Sequence, residues 1–188
     1  MDSVIRIGSI QTPQLGELWV AMSECGLVAV EFGVTRGIFE ASIRRQTRQE
    51  LQTAAGPDAR SVVEATRQIA DYLLGQRRVF EFPIDWSALA SDFQRTALRA
   101  VMAIPYGETR TYTQVAAQIG SPRAPRAVGR ANATNPMPLV IPCHRVVGSD
   151  GKLHGYGGKG GLRTKQWLLE LEGAKLGRAN LKPQAAGV

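Results

Sequence analysis

The chain has 188 residues, is 44% apolar and carries a formal charge of +7. That supports one sizeable core or two small ones, and no stretch approaches the roughly 18 apolar residues of a membrane span. Two cysteines, Cys25 and Cys143, do not make a secreted disulfide scaffold, and the opening residues, with Asp2 and Arg6 among apolar ones, do not read as a leader, so a soluble cytoplasmic protein with free thiols is expected.

The charge is unevenly distributed. Residues 1–88 hold 9 Arg and no Lys against 11 acids, a net of −2, whereas residues 89–188 hold 14 cations against 5 acids, a net of +9. Between 110 and 165 nine cations face one acid, Asp150. A polyanion is therefore the expected partner of the second half alone.

In chain order, residues 5–10, 16–22 and 27–32 read as short strands, the last two joined by a turn at Ser23-Glu24-Cys25-Gly26. The Arg- and Gln-rich stretch 37–51 reads as a helix, and Gly56-Pro57 breaks the chain. Val62, Ile69, Leu73 and Leu74 form a helical stripe ending near Gly75, and residues 79–84 alternate like an edge strand bounded by Pro83. Cys25 reads as a small apolar residue beside the hairpin. These elements form an α+β domain over 1–88 with a small antiparallel sheet.

Beyond a boundary at 83–91 the pattern becomes helical. Phe93, Ala97, Leu98, Val101 and Met102 recur at helix spacing behind Ser91 or Asp92 and stop at Pro105-Tyr106-Gly107. Thr111-Tyr112-Thr113-Gln114 fits a capping box for a helix ending at Gly120, and a tight connection leads to a second short helix over 126–133. Two short helices in the basic region predict a helix-turn-helix. Gly148-Ser149-Asp150-Gly151 predicts a turn within a hairpin or wing over 145–156, the five glycines between 155 and 161 a loop, and 162–171 a last helix stopped by Gly173. Residues 89–175 then form a mainly helical domain, and 176–188 a loose tail.

Pro142-Cys143-His144-Arg145 carries the chemistry, because a thiolate nucleophile forms near neutral pH only beside a base or positive charge. With Cys25, Cys143, His144 and His154 as the whole Cys and His supply, and no paired spacing, a zinc site is not expected. The glycine loop lacks the Gly-Lys-Ser/Thr of a phosphate loop. Three classes fit the Cys-His pair: a hydrolase whose base is oriented by Glu170 or Glu172, a thiol that accepts a group from nucleic acid, and a DNA-binding regulator with an incidental cysteine. Only the second uses both the thiol and the basic helix pair.

The segment 135–147, Asn-Pro-Met-Pro-Leu-Val-Ile-Pro-Cys-His-Arg-Val-Val, resembles the active-site signature of O6-alkylguanine-DNA alkyltransferases. Pro105-Tyr106-Gly107-Glu108, Thr111-Tyr112, Arg126-Ala127-Val128-Gly129, Gly155-Tyr156-Gly157-Gly158 and Trp167-Leu168-Leu169-Glu170-Leu171-Glu172-Gly173 extend the likeness over 93–173. In 1–88, Gly16-Glu17-Leu18 and the strand order agree with the family's variable, ribonuclease H-like amino-terminal domain, and the second domain would be of winged helix-turn-helix type.

The resemblance implies direct reversal of DNA damage: one irreversible transfer of the alkyl group from O6-alkylguanine, and from O4-alkylthymine, to Cys143. The alternative is a non-catalytic lesion-binding protein, but such relatives lack the cysteine. His144 would take the thiol proton through a water, Glu172 would orient His144, and the thiol is expected to be more acidic than usual. Tyr112 would contact the flipped base, protonate the departing guanine and turn the target phosphate outward. Asn135 would lock the turn before the nucleophile. Arg126 would fill the place of the flipped base and Ala127 would let its helix lie close in the minor groove of double-stranded DNA, with Arg123 and Arg130 also on DNA. Pro138, Val146, Tyr156, Gly157 and Gly158 would line the substrate pocket; Gly157 stands where some members have Ser, which would loosen the loop. The family implies no cofactor and no membrane, and a monomer that binds DNA, with cooperativity as a further option.

Overall fold

The structure is a computed structural model that describes residues 4–47, 49–89 and 91–174; the expected tail over 176–188 lies outside them. Strands β1 (Val4–Thr12), β2 (Gly16–Ser23) and β3 (Gly26–Phe32) form an antiparallel meander. Alternation along the strands divides the apolar residues between two faces. Leu18, Val20 and Met22 join the main core, whereas Trp19 and Ala21 join Ile5, Ile7, Phe39 and Ile43 beneath helix α1 (Arg36–Gln46). Helix α2 (Arg60–Leu73) covers the opposite face through Val62, Ala65, Ile69 and Tyr72.

Three expectations for this half are corrected. The helix expected over 37–51 ends at Gln46, and Glu50–Thr53 forms β4, paired in parallel with β1, so the sheet is antiparallel in β3-β2-β1 and gains one parallel strand. Residues 79–84 make no strand beyond one bridge between Ile84 and Leu27, and Val79 is exposed. The exposed edge of β3 is instead closed by single bonds, Leu27 N donating to Pro83 O at 2.8 Å and Val30 N donating to Pro136 O at 2.8 Å. Cys25 sits exposed on the β2–β3 turn rather than packing as an apolar side chain.

Helix α3 (Asp92–Met102) begins at Ser91, whose hydroxyl accepts from Gln94 N at 3.2 Å. Strand β5 (Arg110–Thr111) leads into α4 (Tyr112–Gln118), where Thr111 and Gln114 complete a capping box. Helix α5 (Pro125–Ala133) follows, with Pro125 in its first turn. A 3-10 turn over Cys143–Arg145 precedes β6 (Val146–Val147), which pairs in parallel with β5. The turn after β6 is present, with Gly148 N donating to Lys152 O at 2.9 Å, but no return strand forms, so the expected hairpin is an extended loop. Helix α6 (Leu162–Leu171) ends before Gly173 at φ 66°.

One apolar cluster runs through both halves, from Val30, Phe32, Ile69 and Tyr72 to Leu98, Val115, Met137, Ile141 and Leu168. The class is α+β, and this shared core sets the amino-terminal sheet against the turn that carries Cys143.

Candidate active site

Leu139 precedes the site with φ 75°, rare for a residue with a Cβ, and is held there fully buried. Asn135 fixes this turn at both ends: Nδ2 donates to Ile141 O at 2.9 Å, and Oδ1 accepts from Met137 N at 3.0 Å. Cys143, His144 and Arg145 then turn inward together and all three are buried.

Behind Cys143 the side chains converge on one carboxylate. Glu172 Oε1 lies 2.9 Å from His144 Nε2 and accepts from Tyr72 Oη at 2.6 Å and Arg145 Nη2 at 2.8 Å. Glu172 Oε2 accepts from Arg145 Nε at 2.9 Å and Gly107 N at 3.1 Å. Gly107 makes the last bond possible, because at φ 78° its absent Cβ would lie 2.9 Å from the Glu172 carbonyl oxygen. Burial works to raise the Glu172 carboxyl, but hydrogen bonds from His144, Arg145 and Tyr72 hold it well below the usual carboxylate range. It is therefore an anion, and the imidazole proton sits on Nε2 facing it. The other ring nitrogen, His144 Nδ1, is buried with no partner among the described residues, which leaves a lone pair available as a base.

The expected acidic thiol is corrected. Burial raises Cys143, and a hydrogen bond from Asn135 and the charge of Lys165 offset only part of this. His144 is lowered by burial, against the pull of Glu172. The resting pair is thus thiol and neutral imidazole, so charge separation awaits the reaction. Tyr112 is raised by burial and by Cys143, and stays a proton donor.

Among the described residues, Cys143 lines a smaller and a larger cavity. The first, of about 280 Å³, is walled by Tyr112, Gly129, Asn132, Ala133, Gly155, Tyr156 and Gly157. The second, of about 410 Å³, extends from Pro138, Tyr156, Gly157 and Gly158 towards Val30, Phe32, Ser42 and Arg45 of the amino-terminal half. Four of the five expected pocket residues therefore line a cavity. Val146 lines neither; it is fully buried and its carbonyl oxygen accepts from Lys165 Nζ at 2.6 Å. At Gly157 an added Cβ would lie 3.3 Å from Ala133 O, so glycine lets the loop press against α5, and at Gly158 it would meet the Phe32 ring at 2.5 Å.

On the outer face, Arg126 and Arg130 project from one side of α5 and are exposed, as is Arg123 in the preceding connection. Ala127 is half-buried beside them.

Three residues were not anticipated. Lys165 is fully buried, also donates to His154 O at 2.9 Å, and is lowered by burial to about 8; its place three and four residues before Leu168 and Leu169, on an apolar stripe, was the available signal. Tyr72 lies next to Leu73 in α2, and nothing in the sequence sets it apart. Asn132 lines both cavities with both amide atoms buried and, among the described residues, unpartnered, and nothing local marks it.

Residues 92–174 match the model of the 6-O-methylguanine DNA methyltransferase DNA-binding domain, and residues 5–86 that of the 6-O-methylguanine DNA methyltransferase ribonuclease-like domain. A methylated-DNA–protein-cysteine methyltransferase of Mycolicibacterium paratuberculosis is 48% identical over 127 residues, 68% of this chain and 74% of that protein. One from Methanosarcina barkeri is 40% identical over 163 residues, 87% of this chain and 94% of its own length. The crystal structure of Mycobacterium tuberculosis OGT in complex with DNA superimposes with a TM-score of 0.72 at 36% identity, covering 90% of this chain and 92% of that one.

Proposed function

Because this chain belongs to the 6-O-methylguanine DNA methyltransferase family, we propose that its own residues divide the work of repair as follows. The activity is methyl transfer from methylated DNA to a protein cysteine, direct reversal of the damage. Cys143 is the acceptor. Its sulfur attacks the alkyl carbon on guanine O6, forming the S–C bond as the C–O6 bond breaks. The thiol proton passes through a bridging water to His144 Nδ1, and Glu172 stabilises the imidazolium that forms. The departing guanine takes a proton from Tyr112, which is restored from the imidazolium, so the products are a thioether and neutral guanine. A thioether is a poor leaving group, and each molecule reacts once.

The observation that carries this reading is Cys143 lining two cavities beside a His144 that is anchored through Nε2 to Glu172 and whose Nδ1 has no partner among the described residues. DNA approaches along α5 and its Arg126, Arg123 and Arg130, with Ala127 permitting close contact in the minor groove and the target base flipped into the 280 Å³ cavity. Asn135 holds the turn, and Pro138, Tyr156, Gly157 and Gly158 surround the alkyl group. The protein acts as a monomer on DNA, and O4-alkylthymine is a second substrate. The test is an oligonucleotide carrying label on the methyl of O6-methylguanine. One label per protein should appear on the peptide containing Cys143 and none on Cys143→Ala; turnover, or label on Cys25, would overturn the assignment.

A further inference from the structure

Tyr72 belongs to α2 of the amino-terminal half, yet its hydroxyl lies in the catalytic network. It is fully buried, donates to Glu172 Oε1 at 2.6 Å, and lies 3.3 Å from His144 Nε2. Its ring is fixed between Phe80, at 5.5 Å between centroids, and Tyr106, at 6.2 Å and nearly perpendicular. The oxygen that receives its proton is the same one that receives the imidazole N–H. Arg145 Nη2 donates to it as well, at 2.8 Å, so this one carboxylate oxygen has three donors, of which Tyr72 alone comes from the amino-terminal half.

We infer that Tyr72 is a positioning residue of the methyl transfer: its hydroxyl shares Glu172 Oε1 with His144, fixing the Nε2–H tautomer and limiting how strongly Glu172 favours the imidazolium. A neutral hydroxyl can do this because it never competes as a base. Burial, then the charge of Glu172, push Tyr72 well above its ordinary value, so it remains a donor. With its proton given to Glu172, the phenol oxygen offers only a lone pair to His144, compatible with Nε2–H and not with a bare Nε2. A donor at 2.6 Å takes up part of the negative charge of Oε1 that would otherwise bind a protonated imidazole more tightly. The base is thereby kept neutral, hence competent, at lower pH. This gives the amino-terminal half a part in the chemistry besides packing.

The other charged and titratable groups around His144 are accounted for. Glu172 attracts the imidazolium, Arg145 and Lys165 repel it, and Cys143 is the proton source. Tyr106, packed against Tyr72, directs its hydroxyl to Leu171 O at 3.1 Å and not to the carboxylate.

The inference rests on the repair reading, and the experiment separates the two. Transfer to Cys143 is followed from pH 5 to 9 with a free O6-alkylated guanine base, so that DNA binding does not enter, for wild type, Tyr72→Phe and Tyr106→Phe. For Tyr72→Phe the acid limb should move up by about half a unit to one unit, with the high-pH plateau little changed; Tyr106→Phe should keep the wild-type limb. A Tyr72→Phe limb that is unmoved, or moved down, overturns the role of Tyr72 while wild-type transfer leaves the repair reading intact. No transfer by wild type at any pH, from the free base or from an O6-methylguanine oligonucleotide, would overturn the repair reading itself. A measurement on wild type alone guards against a variant that fails to fold: the Tyr72 hydroxyl proton should give a slowly exchanging downfield resonance with cross-peaks to the His144 ring, and its absence overturns the inference.

Discussion

The ammonium of Lys165 donates to the carbonyl oxygen of Val146 at 2.6 Å, and through it α6 holds the strand that leaves the nucleophile. The charge of this fully buried cation favours the Cys143 thiolate, but burial outweighs it and holds the resting thiol above its ordinary value.

That burial lowers Lys165 from 10.5 to about 8, so the unfolded chain binds more protons than the folded one between these values. Stability therefore rises with pH through this window, and the penalty of the buried charge is fully present below pH 8. Compared in a Cys143→Ala background, to remove the thiol, the lysine chain should gain up to about 3 kcal/mol on its Lys165→Met counterpart between pH 8 and 10.5. Urea denaturation at each pH measures this; parallel curves for the two chains would show that Lys165 titrates normally.

Local signals made the helical half readable. The capping box at Thr111, the serine cap at Ser91 and the stop at Gly173 each depend on neighbours in sequence, and each lies where expected. Strand β4 was missed because it is held by register with β1 and exposes three of its four residues. Residues 79–84 carry an alternating pattern but have no strand beside them to pair with, since β3 offers them only Leu27. The resemblance named Cys143, His144, Glu172 and Asn135 and paired Glu172 with His144, but nothing in the sequence announced that Arg145, Gly107 and Tyr72 meet the same carboxylate. Tyr72 could not be found at all: its partner lies 100 residues away, and a tyrosine on a helical stripe looks the same whether it meets a leucine or a carboxylate.

The loop over the pocket should be sensitive to one methyl group. A Cβ on Gly158 would lie 2.5 Å from the Phe32 ring and 2.6 Å from that of Tyr156, whereas one on Gly157 would meet only Ala133 O at 3.3 Å. Gly158→Ala should cost about 1–3 kcal/mol and slow methyl transfer, because two rings must move. Gly157→Ala should cost less on both measures. Thermal unfolding and single-turnover rates of the pair decide the matter; equal effects would mean that Phe32 does not seat the loop.

Asn132 should trade stability for activity. Its amide is buried with neither atom paired among the described residues, and an unsatisfied buried polar group costs about 1–3 kcal/mol. Asn132→Leu should raise stability by about 1 kcal/mol, yet slow transfer from O6-methylguanine, because the amide faces both cavities that reach Cys143. A variant that is stabilised and fully active would show that the amide has no partner in the substrate.

Arg126 should matter for extracting the base and not for chemistry at sulfur. It is exposed on the first turn of α5, just after Pro125, and it lines neither cavity that reaches Cys143. A side chain placed there can enter a duplex and occupy the gap left by a flipped nucleotide, offsetting part of an unstacking cost of a few kcal/mol. A phosphate contact alone would instead weaken binding similarly on every DNA and reduce the salt dependence by about one ion. Arg126→Ala should therefore slow repair of duplex O6-methylguanine by at least about tenfold, the loss of somewhat over 1 kcal/mol, while reaction with the free alkylated base stays near wild type. Tyr112→Phe supplies the contrast: Tyr112 walls the smaller cavity, and removing its hydroxyl should slow both reactions. The pair of second-order rates for each variant separates the roles. Equal losses on duplex and free base for Arg126→Ala would place its effect inside the pocket, against its exposed position on α5.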